Sequence, residues 1–428
     1  MNLREVIRPA RIGKLFAVAA IALLASARAA QAVDEGLAGE AVNALGVDLY
    51  RAHRGNDGNL LLSPYSIQSA LAMTYAGADG DTRAEMQRTL HYPENEASLH
   101  ESFALLARQL ATLASASVTR ARADQQAGLP PRPLEIYLAN TLFTQRGNPL
   151  QEPFLKVLKE SYAATPFEVD FQGQASNAQL AINRWVQTQT RDRIRDIMGP
   201  IRPRTKVVLV DAFYLRAPWP QRQALVENFR VRGYQNVEVP TLLSQGKCGY
   251  ARGNGMQIIA CPYDEADLQF VVAMPDDTNG LLRLEGALTP NLLGQWASAL
   301  EKRDIVLHLP KFRIAPPTLP LANALKNLGM KTAFDEPQGS ANLNRMSPRQ
   351  PDSYLYLSDV LHRTYLAVDE KGTEAAAFTA PFAAGALAEA PPPPPPPLHA
   401  RVDRPFIFAI QHVPSKACLF LGRVTDPR

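Results

Sequence analysis

The chain has 428 residues, with 45 lysine and arginine residues, 41 aspartate and glutamate residues and a formal net charge of +4. The first 32 residues hold five of the basic residues and one acidic residue, so the remaining 396 carry 40 charges of each sign. A neutral chain gives no charge-based support for a nucleic-acid or membrane-surface partner.

The N-terminal segment has the pattern of a secretory signal peptide. Basic residues precede an apolar run over residues 15–24, and Ala30-Gln31-Ala32 supplies the small residues of a cleavage site. The run is shorter than the roughly 20 apolar residues of a membrane helix, and Arg28 follows it. We therefore expect a signal peptide over residues 1–32, a secreted or periplasmic protein, no membrane partner and one domain over residues 33–428.

Apolar periodicity and end signals predict helices and strands without regular alternation, which favours an α+β fold. Thr82 and Glu85 form the pattern of a capping box for a short helix, and residues 115–133 are predicted to be a surface loop. The other predicted helices span residues 38–52, 66–76, 99–114, 152–162, 177–190 and 319–328. The predicted strands span residues 134–144, 205–215, 268–274, 304–309, 355–368, 406–410 and 417–424, besides a cysteine-containing hairpin.

That hairpin predicts a disulfide. Asn254-Gly255 is a favoured pair for a type I′ turn, and a hairpin centred there places Cys248 opposite Cys261. The two fall on a non-hydrogen-bonded pair, where side chains approach most closely. The alternative is two reduced core thiols. Cys418 lies in an apolar strand and is predicted to be a buried thiol.

Residues 369–397 separate the last two predicted strands from the rest of the domain and end in seven prolines. Their Ala-rich and Pro-rich composition is typical of a flexible linker. If these residues formed a strand, however, alternate side chains would share a face, and those on one face are small enough for a packed sheet. Phe378 lies on the other face. The small face consists of Thr373, Ala375, Ala377 and Thr379. The sequence therefore also allows a loop that can become a strand.

Short motifs in a fixed order resemble the serpin family. They include Asn-Leu-Leu-Leu-Ser-Pro-Tyr-Ser-Ile at residues 59–67 and Phe-Leu-Gly-Arg-Val at residues 420–424. Others lie at residues 138–143, 182–186, 208–214, 309–312, 328–330, 362–377 and 404–406. The resemblance implies a serpin fold of three β-sheets and eight or nine helices, with an exposed reactive-centre loop at about residues 370–404.

The resemblance also implies a mechanism. A target serine protease cleaves the loop and forms an acyl-enzyme, and the first half of the loop then inserts into the large sheet, trapping the protease. Because each inhibitor molecule is used once, we expect that the protein is not an enzyme and that it has no catalytic residue, cofactor or metal. In agreement, the sequence contains no Gly-x-Ser-x-Gly, His-Glu-x-x-His or phosphate-loop motif.

By the same resemblance, the loop begins with a hinge in which Gly372 permits a change from turn to strand. The hinge residues are Glu370, Gly372, Thr373, Glu374, Ala375, Ala376, Ala377 and Thr379. Counting from the hinge glycine places the reactive bond at Ala386-Leu387. A count back from Arg404 falls in the proline tract, and we prefer the first count because proline blocks protease subsites and cannot donate to a central strand.

A small residue before the cut suggests an elastase-like or subtilisin-like target, whereas attack at Leu387 or Phe382 would indicate a chymotrypsin-like one. Proline at 381 lies on the inward face and would cost about 1–3 kcal/mol on insertion. A non-inhibitory substrate, carrier or interaction protein is therefore the alternative.

The prolines after the cut are expected to form a spacer of roughly 22 Å, or a docking site for a proline-recognising partner. We expect a monomer.

Two control points follow from the resemblance. The first, called the breach, lies at the upper end of the gap into which the loop inserts and is expected to contain Trp219, Lys311 and Glu370. The second, called the shutter, lies at the centre of that gap and is expected to bring together Ser63, Ser66, Asp211 and His362. Because Asp211 stands where serpins usually have asparagine, we expect its carboxylate to favour a protonated His362 and to make sheet opening sensitive to pH between about 5 and 8. The alternative is an ordinary core histidine.

Overall fold

The computed structural model describes residues 34–217, 223–231, 235–263, 267–298, 300–350, 353–369 and 396–428. Residues Glu35–Arg428 form one compact unit. Nine α-helices lie within the described ranges. They are α1 Glu35–His53, α2 Pro64–Gly77, α3 Gly80–Thr89, α4 Glu96–Gln126, α5 Glu152–Tyr162, α6 Ala175–Gln189, α7 Leu281–Ala287, α8 Pro290–Ser298 and α9 Ala322–Asn327.

The described residues also contain fifteen β-strands in two sheets. The strands are β1 Leu60–Leu62, β2 Glu135–Gln145, β3 Phe167–Val169, β4 Val207–Arg216, β5 Gln223–Val231, β6 Gln235–Gly253, β7 Met256–Pro262, β8 Leu268–Pro275, β9 Glu301–Pro310, β10 Phe312–Ile314, β11 Leu319–Pro320, β12 Leu357–Val368, β13 Leu398–Arg401, β14 Phe406–His412 and β15 Ala417–Val424. With the nine helices they form the α+β architecture that the resemblance implies.

The larger sheet has nine strands in the order β1-β15-β14-β8-β7-β6-β9-β13, with β5 also paired to β6. Strand β6 is 19 residues long. It pairs with β5 through its first half, with β9 through its middle and with β7 at its end. Hydrogen bonding along this one strand therefore joins two of the three expected sheets into a continuous surface.

The second sheet has the order β10-β12-β4-β2-β3, with β11 also paired to β12. Its two central strands, β12 and β4, run parallel from the pair Leu357 and Val207 to the pair Leu366 and Leu215. We call this pairing the central seam. A bulge at Ser358 interrupts it near its lower end, and Ser358 Oγ accepts a hydrogen bond there from the Lys206 backbone N–H at 2.8 Å.

Helix α2 lies between the two sheets. All fourteen of its residues are buried, and it contacts β15 of one sheet and both β2 and β4 of the other. Ser63 caps it by accepting a hydrogen bond from the Ser66 backbone N–H, and Pro64 occupies the first turn, where a missing donor costs nothing. Phe213 stacks on Phe420 at 4.8 Å between ring centroids, so the sheets share one core around this helix.

The outer face of the second sheet is covered by α6, whose Ile182 and Val186 pack on Val208 and Val210 of β4 in a second apolar cluster. No helix in the described part of the chain is long and apolar enough to cross a membrane.

Several predicted boundaries were wrong. Helix α4 continues through Gln126, so most of residues 115–133 is helical rather than a loop. Thr82 lies inside α3 rather than at its N-cap, and its hydroxyl accepts a hydrogen bond from the Asn342 backbone N–H at 3.0 Å. Glu85, its supposed capping partner, instead accepts hydrogen bonds from the backbone of Lys331 and Thr332.

The cysteine hairpin has the expected register. Asn254 and Gly255 both have positive φ angles, of 53° and 75°, as a type I′ turn requires. The Cα atoms of Cys248 and Cys261 lie 4.4 Å apart, and their sulfur atoms lie 1.99 Å apart, the distance of a disulfide bond. Cys418 is buried with a free thiol, and burial raises its pKa.

Glu96 in the first turn of α4 predicts one acid-sensitive contribution to stability. Burial raises its pKa, but hydrogen bonds from His100, Arg83 and Arg345 outweigh burial and lower the pKa from 4.5 to about 2. A carboxylate whose pKa is lower in the folded state than in the unfolded state stabilises the fold at pH values above its unfolded-state pKa. This contribution to stability is lost as the pH falls through the folded-state pKa. Glu96→Gln should therefore lower the melting temperature at pH 7 and have a smaller effect at pH 2.

The matched control is Glu301→Gln, which removes an exposed carboxylate that pairs with Arg303 at 3.0 Å. It should change the melting temperature little at either pH. An effect of Glu96→Gln that stays constant from pH 7 to pH 2 would contradict the role of the carboxylate charge.

Candidate functional site: the central seam and the shutter cluster

The central seam leads to the boundary of the described residues. Strand β12 ends at Val368 at the upper end of the seam, and the described chain resumes at Pro396, just before β13. Residues 370–395, which link these two strands, lie outside the described ranges.

His362 and Asp211 meet at the middle of the seam. They face each other on β12 and β4, with side chains that are only 1% and 0% exposed. His362 Nδ1 lies 2.6 Å from Asp211 Oδ2. The Ser66 hydroxyl, reaching from α2, donates to the same oxygen at 3.1 Å. Three of the four expected shutter residues are thus in direct contact, and Ser63 joins them through its backbone.

Ser63 determines the proton position on the histidine. Its backbone N–H donates to His362 Nε2 at 3.1 Å, so Nε2 carries a lone pair and Nδ1 carries the hydrogen that is donated to Asp211. The Ser63 backbone N–H and the Asp211 carboxylate therefore fix the orientation of the ring from its two nitrogen atoms.

The shutter cluster also ties the two sheets together. The Ser63 hydroxyl donates to the Leu419 carbonyl oxygen of β15 at 2.7 Å. Asp211 Oδ1 is buried and has no hydrogen-bond partner in the described part of the chain. A buried carboxylate oxygen without a donor costs free energy, so the cluster holds a locally unfavourable group at the middle of the seam.

Asn140 belongs to this site but was not predicted as a site residue. It lies on β2, opposite Asp211 of β4, and its side-chain amide donates to the Ser66 carbonyl oxygen at 3.0 Å. The only available signal was its place in the motif at residues 138–143. The cluster therefore extends over β2, β4, β12 and α2.

The breach is only partly described. Lys311 lies between β9 and β10, and its backbone N–H donates to the Pro240 carbonyl oxygen at 2.8 Å. Trp219 and Glu370, its expected partners, lie outside the described residues. So do the expected hinge from Gly372 to Thr379, Pro381 and the expected reactive bond Ala386-Leu387.

A second buried histidine interaction lies close to the end of the loop region. His308 Nδ1 on β9 lies 2.8 Å from Glu227 Oε1 on β5, and its ring centroid lies 5.9 Å from that of His399 on β13. Within the described residues, no group of three histidine, cysteine, aspartate or glutamate side chains could hold a metal ion.

The fold and the order of the motifs agree with a comparison against protein families. The model for "Serpin (serine protease inhibitor)" matches residues 40–427. The chain is a member of the serpin family. This match covers both sheets, all the described shutter residues and the strands on either side of the expected loop.

Relatives of this serpin extend over most of its length. An uncharacterised serpin-like protein of Thermococcus kodakarensis is 32% identical over 397 residues, covering 91% of this chain and 85% of the relative. A leukocyte elastase inhibitor of Bos taurus is 33% identical over 385 residues, covering 86% and 93%. The crystal structure of uncleaved ovalbumin has a TM-score of 0.74 and 25% identity, covering 92% of this chain and 100% of that one.

The buried pair predicts an asymmetric response to mutation. His362→Ala leaves the Asp211 carboxylate buried without its imidazole partner and should reduce the free energy of unfolding by about 3–5 kcal/mol. Asp211→Asn keeps an oxygen that can accept both hydrogen bonds and should cost less. In the Asp211→Asn background, His362→Ala should therefore cost less than in the wild type, as measured by a double-mutant cycle in urea.

His91→Ala serves as the control, since it removes a histidine that pairs with Asp48 at 2.8 Å while 43% exposed. It should cost less than about 1 kcal/mol. Additive losses at positions 211 and 362 would contradict the coupling. The same Asp211→Asn protein also tests the expected pH sensitivity, because an unchanged pH profile of protease trapping between about 5 and 8 would exclude a role for the carboxylate charge.

Proposed function

We propose that this serpin is a suicide-type inhibitor of a serine protease. The protease cleaves the loop near Ala386-Leu387, and the loop then inserts between β4 and β12 before the acyl-enzyme can hydrolyse. The observation that carries the proposal is the parallel central seam, whose strand β12 continues directly toward a segment with one uniformly small face. The protein is used once and is not an enzyme.

The geometry of the seam supports insertion. A strand antiparallel to both β12 and β4 can form hydrogen bonds on its two sides, and the residues it turns inward must be small. Thr373, Ala375 and Ala377 meet that requirement. The shutter cluster joins the two strands at their midpoint, so it must rearrange when they separate.

The expected residue before the cut, Ala386, suggests the target class. A small side chain at that position fits an elastase-like or subtilisin-like protease, and the relative from Bos taurus is named as a leukocyte elastase inhibitor. Cleavage after Phe382 or Leu387 would instead indicate a chymotrypsin-like target. We propose a covalent complex between a monomeric inhibitor and this protease.

We further propose that the protein acts in a secreted or periplasmic location after cleavage near Ala32. The signal-peptide pattern supports export. The sulfur positions of Cys248 and Cys261 support it independently, because disulfide bonds persist mainly in oxidising compartments.

A non-inhibitory serpin, acting as a substrate, carrier or interaction protein, is the second candidate. Pro381 favours it, because proline on the inward face of an inserted strand removes one ladder hydrogen bond at a cost of about 1–3 kcal/mol. Slower insertion would give the protease time to hydrolyse the ester and leave.

Mixing the mature protein with an elastase should give a covalent band of the summed mass on a denaturing gel. Thr373→Arg places a long charged side chain on the inward face of the inserted strand and should convert trapping into simple cleavage. Pro381→Ala should raise the fraction of protease that is trapped. A matched control, Glu374→Arg, introduces the same side chain on the outward face and should trap nearly as well as the wild type.

Complete cleavage with full survival of protease activity, in the wild type and in Pro381→Ala alike, would support the non-inhibitory alternative. Mass spectrometry of the released C-terminal fragment identifies the cut site and separates the three target classes.

Loop insertion also predicts a change in thermal stability. Cleavage of the loop frees its first half to complete the second sheet, which should raise the melting temperature by about 1 °C for each kcal/mol that insertion releases in a chain of this length. Thr373→Arg should show a much smaller rise after the same cleavage. An unchanged melting temperature in the cleaved wild-type protein would contradict insertion.

A further inference from the structure

A cleft at the lower end of the central seam has no role in the proposed mechanism. It consists of two chambers of about 470 Å³ and about 370 Å³ that share Arg204, Phe334 and Tyr356 as lining residues. We call the two together the seam cleft. It lies below the first pairs of β4 and β12, beside the bulge at Ser358.

The larger chamber has apolar side chains from both sides of the seam, within a mixed lining that also holds Arg202 and Arg204. Val208 comes from β4 and Leu357 and Leu361 from β12, while Ile197 and Met198 come from the chain that follows α6. The hydroxyl oxygen of Thr318, which also lines this chamber, is buried and has no hydrogen-bond partner in the described ranges. This chamber can therefore take an apolar side chain and offers one unused polar atom.

The acidic side chains of the cleft accept hydrogen bonds from neighbouring groups. Asp335 accepts hydrogen bonds from the Gly339 backbone at 2.8 Å and the Tyr354 hydroxyl at 2.9 Å. Asp359 accepts one from the Val360 backbone at 2.8 Å, and the charge of Arg202 acts on it.

Two of the basic side chains have no such partner. Arg204 and Lys206 line the smaller chamber, and neither forms an ion pair with an acid in the described part of the chain. Lys326, in the larger chamber, pairs with Glu336 at 3.5 Å, an acid that is 58% exposed. Across the two chambers, four basic side chains stand against two acidic ones, so the net charge of the lining is positive.

We propose that the seam cleft is a docking site for an acidic peptide segment of a partner protein, with one apolar residue between its acidic residues. The apolar residue enters the larger chamber, and the flanking carboxylates face Arg204 and Lys206. A peptide supplies both features at once, whereas a fatty acid has a single carboxylate for two cations and a sulfated sugar has no group for the apolar side chains of the larger chamber.

Such a peptide would contact residues of both β4 and β12 at the foot of the seam. Because a ligand shifts an equilibrium only by its different affinity for the two states, a peptide that needs both walls in place favours the closed seam. This consequence for loop insertion depends on the proposed function, whereas the docking itself does not.

The test uses acetyl-Glu-Asp-Leu-Glu-Asp-amide as the probe, titrated calorimetrically into the uncleaved protein. Saturable binding with a dissociation constant below about 1 mM is expected. Replacing the central leucine of the probe by serine should weaken binding about tenfold or more, because serine lacks most of the apolar surface that the leucine would bury. The double variant Arg204→Glu with Lys206→Glu should also weaken it at least about tenfold.

The matched control is Lys302→Glu with Arg303→Glu, which makes the same charge change on exposed residues of β9. It should leave the affinity within about twofold of the wild type. No saturable binding up to about 1 mM overturns the proposal, as does equal weakening by both double variants. Tighter binding of dodecanoate than of the peptide would identify a lipid site and overturn it as well.

Loop-cleaved protein tests the effect on the seam. Weaker binding of the probe after cleavage is expected if insertion separates the two walls, and equal affinity in both forms overturns that consequence. Failure of the proposed inhibitory function would be seen separately, as the lack of a covalent protease band on a gel run without the probe.

Discussion

The fold depends on the pairing of two parallel strands that are adjacent in space and distant in sequence. Strands β4 and β12 are held at their midpoint by the contact between His362 and Asp211, and α2 fixes that contact from below through Ser63 and Ser66. Parallel strands are normally buried on both faces, and here α2 and α6 provide the two covers. The same arrangement buries the contact between His362 and Asp211 completely between the two covers.

The hydrogen bonds of the shutter cluster satisfy only one of the two carboxylate oxygens of Asp211. One carboxylate oxygen accepts from both His362 and Ser66, while the other oxygen is left without a donor in the described residues. The cluster therefore combines strong contacts with one unsatisfied atom. Separation of the strands would break the first and relieve the second, so the net cost of opening is smaller than the contacts alone would suggest.

The sequence predicted best the elements whose apolar pattern is strong. Strand β15 was predicted with its observed limits because six of its eight residues are apolar, and the hairpin at Asn254 followed from turn chemistry alone. The end of α4 was missed because only Ser117 and Ala121 are buried in its last third, so no apolar period is visible there. Helix α7 was missed because it is a short segment that contains Gly286.

The site was predictable only as far as motifs could be matched to a family. No spacing rule brings Asp211 and His362 together, because 151 residues separate them and their contact depends on a parallel pairing. The seam cleft has even less signal, since its walls come from distant segments whose charges look like ordinary surface residues. Local propensity specifies elements, whereas sites of this kind appear only after the strands have paired.

The two ends of the expected loop are anchored very unequally. On one side, β12 is a central strand with nine pairs to β4 and further pairs to β10 and β11. On the other side, β13 is an edge strand with four pairs to β9. A pulling force along the loop would therefore separate β13 from β9 before it separated β12 from β4. The end of the loop at β13 is thus the mechanically weaker attachment.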